Sequence, residues 1–318
     1  MDRVKNRFNR SSWYCPHYDY FSSVEKDISP SNLGPEYVGF DHMTGYVGNA
    51  KQAASYSITL LDFEHVAYRG PGTSSRTYAR DEKPSLAEIQ AHLAKHGDGV
   101  KDVAFRIEGD VESVWKRAVD NGATSIASPP TLVNEENGSL LMATANSINQ
   151  LLPPIDFVEI NHCVGCQPSN VVDSVCLDFH RYWTGGDSNM CGEYSAMRSI
   201  VVASPNEVIK MPMNEPASGE KRSQIEDSWN SAGVQHMAFQ THDIVTAVTG
   251  LKQRGMAFLR IAEEIDRLRE LHILVDFDEK GYLLQFFTKH VLDRPTVFLE
   301  VIQRNNFDGH HFTPYSTR

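Results

Sequence analysis

The sequence predicts an α+β fold built from repeated units of a strand, a helix and further strands. Residues 40–42 (Phe-Asp-His) open one unit, and residues 160–162 (Ile-Asn-His) open a similar one. Residues 99–105 likewise parallel residues 233–239, and in both copies a helix-compatible stretch follows that a glycine ends. Strands that alternate with helices and hairpins are typical of α+β proteins. The repetition predicts that these units pair around a curved sheet with a central cavity.

The repeat also predicts how the chain divides into domains. Residues 151–154 (Leu-Leu-Pro-Pro) have the composition of a linker between the two halves. We therefore expect a poorly ordered N-terminal arm over residues 1–36, a scaffold domain over 37–150 and a catalytic domain over 151–318.

Composition excludes several classes of function. The 318 residues are 41% hydrophobic and 22% charged, as in globular proteins, and the net charge of −11 argues against a nucleic-acid partner. The chain has no apolar run near the roughly 18 residues of a membrane span. Five scattered cysteines do not form a disulfide framework, which favours a reducing, cytoplasmic environment. Cys163 and Cys166 could form a zinc or redox pair, but without a second such motif buried structural thiols are favoured.

Three strand-like runs each contain one side chain that can bind a metal: His162, His236 and Glu300. A carboxylate is costly to bury among apolar residues unless it is paired or metal-bound. The two-residue period of a strand places each of the three on a face with apolar neighbours, and it sets Ile160 and Val164 on the face of His162. Two imidazoles and one carboxylate are the ligand set of non-haem Fe(II) oxygenases. The first half lacks the set, because His42 matches His162 but Asp102 stands at the place of His236.

Other polar residues are candidates for a ligand pocket. Gln285 lies in a strand whose inward face would carry Leu283, Gln285 and Phe287, and a buried amide needs partners. Ser199 lies on a β-branched strand. Asn214 falls in an expected Pro-flanked turn, where simple Asx-turn chemistry is the alternative.

Longer matches identify a family. The chain resembles 4-hydroxyphenylpyruvate dioxygenases of the vicinal-oxygen-chelate superfamily in its metal segments and in residues 46–54, 95–102, 203–207, 210–212, 214–216 and 293–296. The resemblance implies paired βαβββ modules that form two open barrel-like domains, with the metal in the C-terminal one. It implies Fe(2+) held by His162, His236 and Glu300, with no catalytic residue beyond these ligands. It also implies a set of substrate-binding residues: Ser199, Asn214, Gln224, Gln235, Gln285 and Phe287.

The resemblance further implies a reaction. The expected partners are O2 and an aromatic 2-keto acid, 4-hydroxyphenylpyruvate, which would yield homogentisate and CO2 in tyrosine and phenylalanine catabolism. A cytoplasmic location is expected, and a homodimer stays open. Among the implied substrate-binding residues, Gln235 does not fit the strand pattern, since strict alternation should turn its side chain away from His236.

Two alternatives stay open at the level of sequence. Compared with the family pattern, the chain is expected to lack sheet strands and a C-terminal helix that covers the site. It could therefore be a shortened, non-catalytic homologue that keeps the metal site. It could also resemble hydroxymandelate synthase, which shares the substrate and the ligands but hydroxylates the side-chain carbon.

Overall fold

The computed structural model describes most of the chain between Glu36 and Phe307. The described residues are 36–65, 86–125, 152, 155–166, 177–185, 197–216, 232–259, 266–277, 279–292, 294 and 296–307. All of them belong to one compact unit, Gly34–Arg318. The predicted N-terminal arm lies outside the described residues, apart from Glu36.

The described residues form five helices and ten strands, which agrees with the predicted α+β class. The helices are α1 (Ala50–Leu61), α2 (Leu86–His96), α3 (Val111–Asp120), α4 (Ile244–Gln253) and α5 (Asp266–Leu271). The strands are β1 (Glu36–Tyr46), β2 (Gly99–Glu108), β3 (Phe157–Cys166), β4 (His180–Gly185), β5 (Met197–Ala203), β6 (Lys210–Pro216), β7 (Gly233–Thr241), β8 (Leu274–Phe277), β9 (Tyr282–Phe287) and β10 (Phe298–Asn305).

The strands form a large sheet and a small one. The large sheet has the order β4-β5-β6-β3-β7-β10-β9-β8, and the small one consists of β1 and β2. In each half of the large sheet, the first strand along the chain lies parallel to the last one, β3 beside β6 and β7 beside β10. The antiparallel pair β3–β7 joins the halves. Among the described strands neither sheet is closed, so these elements form an open α+β arrangement.

Three helices begin at side chains that cap their first turn. Asn49 accepts a hydrogen bond from the Gln52 amide before α1, and Asp243 accepts one from the Thr246 amide before α4. Asp110 accepts from two amides of α3. Such caps satisfy amide groups that have no partner within the helix. The helical stretches expected after residues 99–105 and 233–239 are α3 and α4, as the sequence repeat predicted.

The central strands of the large sheet have two different faces. On one face, α4 buries Ile244, Val248 and Leu251 against Phe286 and other apolar side chains of β7, β9 and β10. The opposite face carries polar side chains between smaller apolar clusters. Because helices cover one face of the sheet, the other face is left to form the candidate site.

The predicted domain boundary falls within residues 126–151, which lie outside the described part of the chain. The division into domains 37–150 and 151–318 therefore stays a prediction. None of the described helices is long and apolar enough to cross a membrane.

Candidate metal centre

The three predicted ligands come together on neighbouring strands at the centre of the large sheet. Residue pairing sets His162 of β3 opposite Ala238 of β7, and Ala238 opposite Glu300 of β10. His236 lies one pleat further along β7, beside Phe298. The small side chain of Ala238 therefore lies between two of the ligands. The antiparallel pairing of β3 with β7 and the parallel pairing of β7 with β10 thus bring the three ligands into one triangular site.

Distances within the triad suit a set of metal ligands. His162 Nε2 lies 3.1 Å and His236 Nε2 lies 3.4 Å from Glu300 Oε2, and the three side chains are 1–3% exposed. Neither contact has hydrogen-bond geometry, so within the described residues these three buried atoms have no hydrogen-bond partner. Bonds of about 2.1 Å at right angles would separate ligand atoms by about 3.0 Å. The donor set therefore fits a single metal ion.

The charge state of the triad also suits a cation. Burial lowers the pKa of His236 more than the Glu300 carboxylate raises it, which favours the neutral ring. For Glu300, burial by itself raises the pKa, but attraction to the His162 and His236 rings outweighs burial and holds the pKa well below its usual value. Neutral imidazole and ionised carboxylate are the forms that coordinate metals.

Each ligand also contacts an amide side chain. Gln285 Nε2 donates to Glu300 Oε1 at 2.8 Å. His162 Nδ1 lies 3.0 Å from the Oδ1 atom of Asn161, and His236 Nδ1 lies 3.2 Å from the Oε1 atom of Gln235. Such outer contacts fix the orientation of metal ligands.

Two β-bulges make the contacts to the histidines. In the β3–β7 ladder, Ile160 pairs with Phe239 and His162 pairs with Ala238, so Asn161 is an extra residue on β3. A bulge redirects side chains that would otherwise alternate strictly. The prediction that Ile160 shares a face with His162 is therefore wrong, because Ile160 packs against the helix-side core.

Gln235 is the extra residue of the second bulge. Val164 pairs with His236 and Gly165 pairs with Val234, so Gln235 has no partner across the β3–β7 ladder. The bulge turns its side chain beside His236 instead of away from it, and Asn214 Nδ2 donates to its Oε1 atom at 3.1 Å. Strict alternation, which the sequence pattern suggested, fails here.

The remaining predicted residues divide into three groups. Gln285 and Phe287 lie on the site face of β9, and the Phe287 ring meets the His236 ring edge-on at 6.4 Å. Ser199 and Asn214 pair across β5 and β6 and are 1% exposed. Gln224 lies outside the described residues. Asn214 belongs to a strand and not to the expected turn, because β6 continues through Pro216.

Two buried polar atoms near the triad have no hydrogen-bond partner within the described parts of the chain. They are Ser199 Oγ and Asn214 Oδ1. Buried polar atoms in native proteins are nearly always satisfied by protein, water or ligand. Their position on the site face is what a pocket for a polar ligand requires.

Residues that the sequence analysis did not predict also contribute to the site. Asn161 and Gln240 were not predicted, although an amide directly before a ligand histidine was visible in the sequence. Gln240 Oε1 accepts from Asn161 Nδ2 at 2.8 Å. Phe298 stacks on the His236 ring with centroids 4.6 Å apart. That contact depends on strand pairing, which the sequence alone did not specify.

The cysteine pair has no metal-binding geometry. Cys163 and Cys166 are free and fully buried, and burial raises the pKa of each thiol to about 12. Among the described residues, a group of three donors close enough to hold a metal is found at His162, His236 and Glu300 and does not include either thiol.

Comparisons with known proteins agree with this site. A family profile described as the glyoxalase/bleomycin resistance protein/dioxygenase superfamily matches residues 167–286. A probable 4-hydroxyphenylpyruvate dioxygenase 2 from Aspergillus fumigatus is 54% identical over 377 residues, which covers 90% of this chain and 93% of the relative. A 4-hydroxyphenylpyruvate dioxygenase from Coccidioides posadasii is 41% identical over 372 residues, which covers 91% of this chain and 92% of the relative. The chain belongs to the 4-hydroxyphenylpyruvate dioxygenase family.

Solved structures place this family member in the same fold. A mutant 4-hydroxymandelate synthase from Streptomyces coelicolor superposes with a TM-score of 0.70 at 26% identity, covering 87% of this chain and 96% of that one. A xylose isomerase-like TIM barrel/4-hydroxyphenylpyruvate dioxygenase fusion protein shares the fold with a TM-score of 0.62 at 18% identity, covering 87% of this chain and 51% of that one. The Aspergillus match is longer than the whole 318-residue chain, so this family member has internal gaps against that relative.

Proposed function

We propose that this chain is an Fe(2+)-dependent dioxygenase that converts 4-hydroxyphenylpyruvate and O2 to homogentisate and CO2. The observation that carries the proposal is the buried triad of His162, His236 and Glu300, whose three facing atoms have no hydrogen-bond partner among the described residues. A two-histidine, one-carboxylate set leaves positions open for substrate and O2. When bound, iron supplies the activation of O2 and the binding of the keto acid.

The chain's own residues would bind and orient the substrate. We infer that Ser199 and Asn214 meet polar groups of the keto acid, because Ser199 Oγ and Asn214 Oδ1 are buried without a partner in the described structure. Phe287 offers an aromatic face on the same side of the sheet as the triad. Gln285 holds the Glu300 carboxylate by its hydrogen bond to Oε1. We retain Gln224 and Gln235 as substrate-binding candidates from the family resemblance alone.

The apolar surroundings of the triad have a role in this proposal. Phe287 and Phe298 lie against the His236 ring, and Ala238 lies between the other two ligands. Such side chains exclude water from the reacting groups and so limit side reactions.

We further infer a fold of paired βαβββ modules that form two open barrel-like domains, with the metal in the C-terminal one. The strand order within each half of the large sheet supports it, because the first strand lies beside the last in both. A place in tyrosine and phenylalanine catabolism and a cytoplasmic location follow from the same family, and the free buried cysteines suit a reducing compartment.

The test is turnover by the full chain. The protein is first loaded with Fe(2+) under anaerobic conditions and then transferred to buffer that contains O2. We expect 4-hydroxyphenylpyruvate to trigger O2 uptake in an oxygen electrode, with an equal amount of homogentisate in the chromatogram. The matched control is Glu300→Gln, which should take up no O2 while its circular dichroism stays native. Iron-loaded, folded wild-type protein that consumes no O2 would refute the proposal.

Two outcomes identify the alternatives. Formation of 4-hydroxymandelate in place of homogentisate would assign the synthase reaction. The similarity to the Streptomyces 4-hydroxymandelate synthase structure is the reason to test for that product. Calorimetric binding of 4-hydroxyphenylpyruvate without any product would assign a non-catalytic homologue.

A further inference from the structure

The two histidine ligands share a local construction that goes beyond the ligand set itself. In each case the residue just before the histidine is the extra residue of a β-bulge, and in each case it is an amide, Asn161 or Gln235. A regular strand would turn consecutive side chains to opposite faces. Here the bulges bring each amide oxygen to the Nδ1 side of the following ring, at 3.0 and 3.2 Å.

The amide oxygens decide which ring nitrogen carries the proton. A side-chain amide oxygen can only accept, so the facing Nδ1 must donate. On the other side of each ring, Nε2 faces Glu300 Oε2 without hydrogen-bond geometry. In the neutral ring, the amide contact therefore places the proton on Nδ1 and leaves the Nε2 lone pair directed at the site. The tautomer that a metal needs is thus set before any metal arrives.

Each amide is itself held by a second amide. Asn161 Nδ2 donates to Gln240 Oε1 at 2.8 Å, and Asn214 Nδ2 donates to Gln235 Oε1 at 3.1 Å. Because the donor group of Asn161 is occupied by Gln240, its oxygen is the atom left to face His162. The pair Asn161–Gln240 crosses from β3 to β7 and so also ties together the two strands that carry the histidines.

The small sheet provides an internal comparison. The β1–β2 ladder has bulges at Asp41 and Lys101, the positions that correspond to the two amides in the repeat. Asp41 also contacts the histidine that follows it, with Oδ2 2.6 Å from His42 Nδ1, but that histidine is exposed. The bulge thus recurs without the metal site, and the neutral amide is specific to the strands that hold the triad.

We propose that Asn161, oriented by Gln240, is a positioning residue that fixes the Nδ1–H tautomer of His162 for metal binding, and that Gln235 does the same for His236. This inference rests on the metal site of the proposed function. It adds a positioning role for Asn161 and Gln240, and it assigns to Gln235 the orientation of the metal-binding His236 ring.

The test measures the affinity of the metal-free full chain for Co(2+) by isothermal titration calorimetry, with no substrate present. Asn161→Leu removes the acceptor at similar size and should weaken Co(2+) binding about 10- to 100-fold. Asn161→Asp restores an acceptor and should bind within about threefold of wild type. Asp41→Leu alters the corresponding bulge of the small sheet and should leave the affinity unchanged.

A second measurement separates positioning from a merely structural role. The visible absorption of bound Co(2+) reports on ligand geometry and should change in Asn161→Leu but not in Asp41→Leu. If Asn161→Leu does not fold, Gln240→Met serves instead, because it frees the Asn161 amide to rotate while leaving the bulge in place. It should weaken binding severalfold.

Three results would overturn the inference. One is Co(2+) binding by Asn161→Leu, or by Gln240→Met in its place, that equals wild type in affinity and absorption. Another is a loss in Asn161→Asp as large as that in Asn161→Leu. Wild-type protein that binds no Co(2+) would instead overturn the metal site of the proposed function, and this inference with it.

Discussion

Replacing Glu300 with glutamine should abolish metal-linked stabilisation while leaving the metal-free fold intact. The side chain is 1% exposed and accepts a hydrogen bond from Gln285 Nε2 at 2.8 Å. A glutamine is nearly the same size, and its amide oxygen can accept that same bond. The change therefore removes the anionic ligand facing both histidines with little effect on packing.

The expected size of the effect follows from linkage. A metal at 100 times its dissociation constant stabilises the folded state by about 2.7 kcal/mol if it does not bind the unfolded chain. At roughly 2 °C per kcal/mol for a chain of this size, the melting temperature should rise by about 5 °C. If the loss of one ligand of three weakens binding about a thousandfold, the same metal concentration contributes only about 0.06 kcal/mol. The rise should then fall within experimental error.

The assay is thermal unfolding with and without Co(2+), followed by circular dichroism. Glu215→Gln is the matched control, since Glu215 is a glutamate on β6 that is also only 3% exposed. That variant should keep the full metal-induced rise. If Glu300→Gln shows the wild-type rise, Glu300 is not a ligand and the assignment of the triad is refuted.

Three further predictions test other parts of the structure. Ala238 is fully buried between two of the ligands, so Ala238→Leu should destabilise the fold by about 1–3 kcal/mol and abolish Co(2+) binding in calorimetry, whereas Ala238→Gly should retain binding. Asp62→Asn removes the carboxylate 3.0 Å from the buried Arg254 guanidinium and should cost about 3 kcal/mol in urea unfolding. Adding Arg254→Met should recover part of that loss, and no recovery would contradict the pairing. Cys163 and Cys166, with burial raising the pKa of both to about 12, should resist iodoacetamide at pH 8 until urea is added. Peptide mapping that finds either one alkylated in the native protein would contradict their burial.

The sequence was sufficient to predict the triad because each ligand interrupts an apolar run. His162, His236 and Glu300 point to a metal site when the three are taken together in related strands, since a polar group in such a run needs a partner. The same reasoning placed Gln285 and Phe287 on the site face of a strand, where the structure has them. Regular alternation holds along β9 and β10, so a pattern with a period of two gives the right faces there.

Alternation failed at the bulges. Nothing in the residue pattern marked Asn161 or Gln235 as an extra residue, because a bulge depends on how two strands pair across the ladder. Ile160 was consequently assigned to the wrong face. Asn214 was assigned to a turn because prolines flank it, although β6 pairs with both β5 and the end of β3. Pairing between strands distant in sequence is information that a local pattern does not contain.

The pairing of the ligand strands has a consequence for folding kinetics. β3, β7 and β10 are distant along the chain, and the β7–β10 pair is parallel, so both ladders close only after large loops have formed. Contacts of this kind form slowly, since the entropy of loop closure must be overcome first. We therefore expect the ligands to converge late in folding, so that a bound metal ion slows unfolding far more than it speeds refolding.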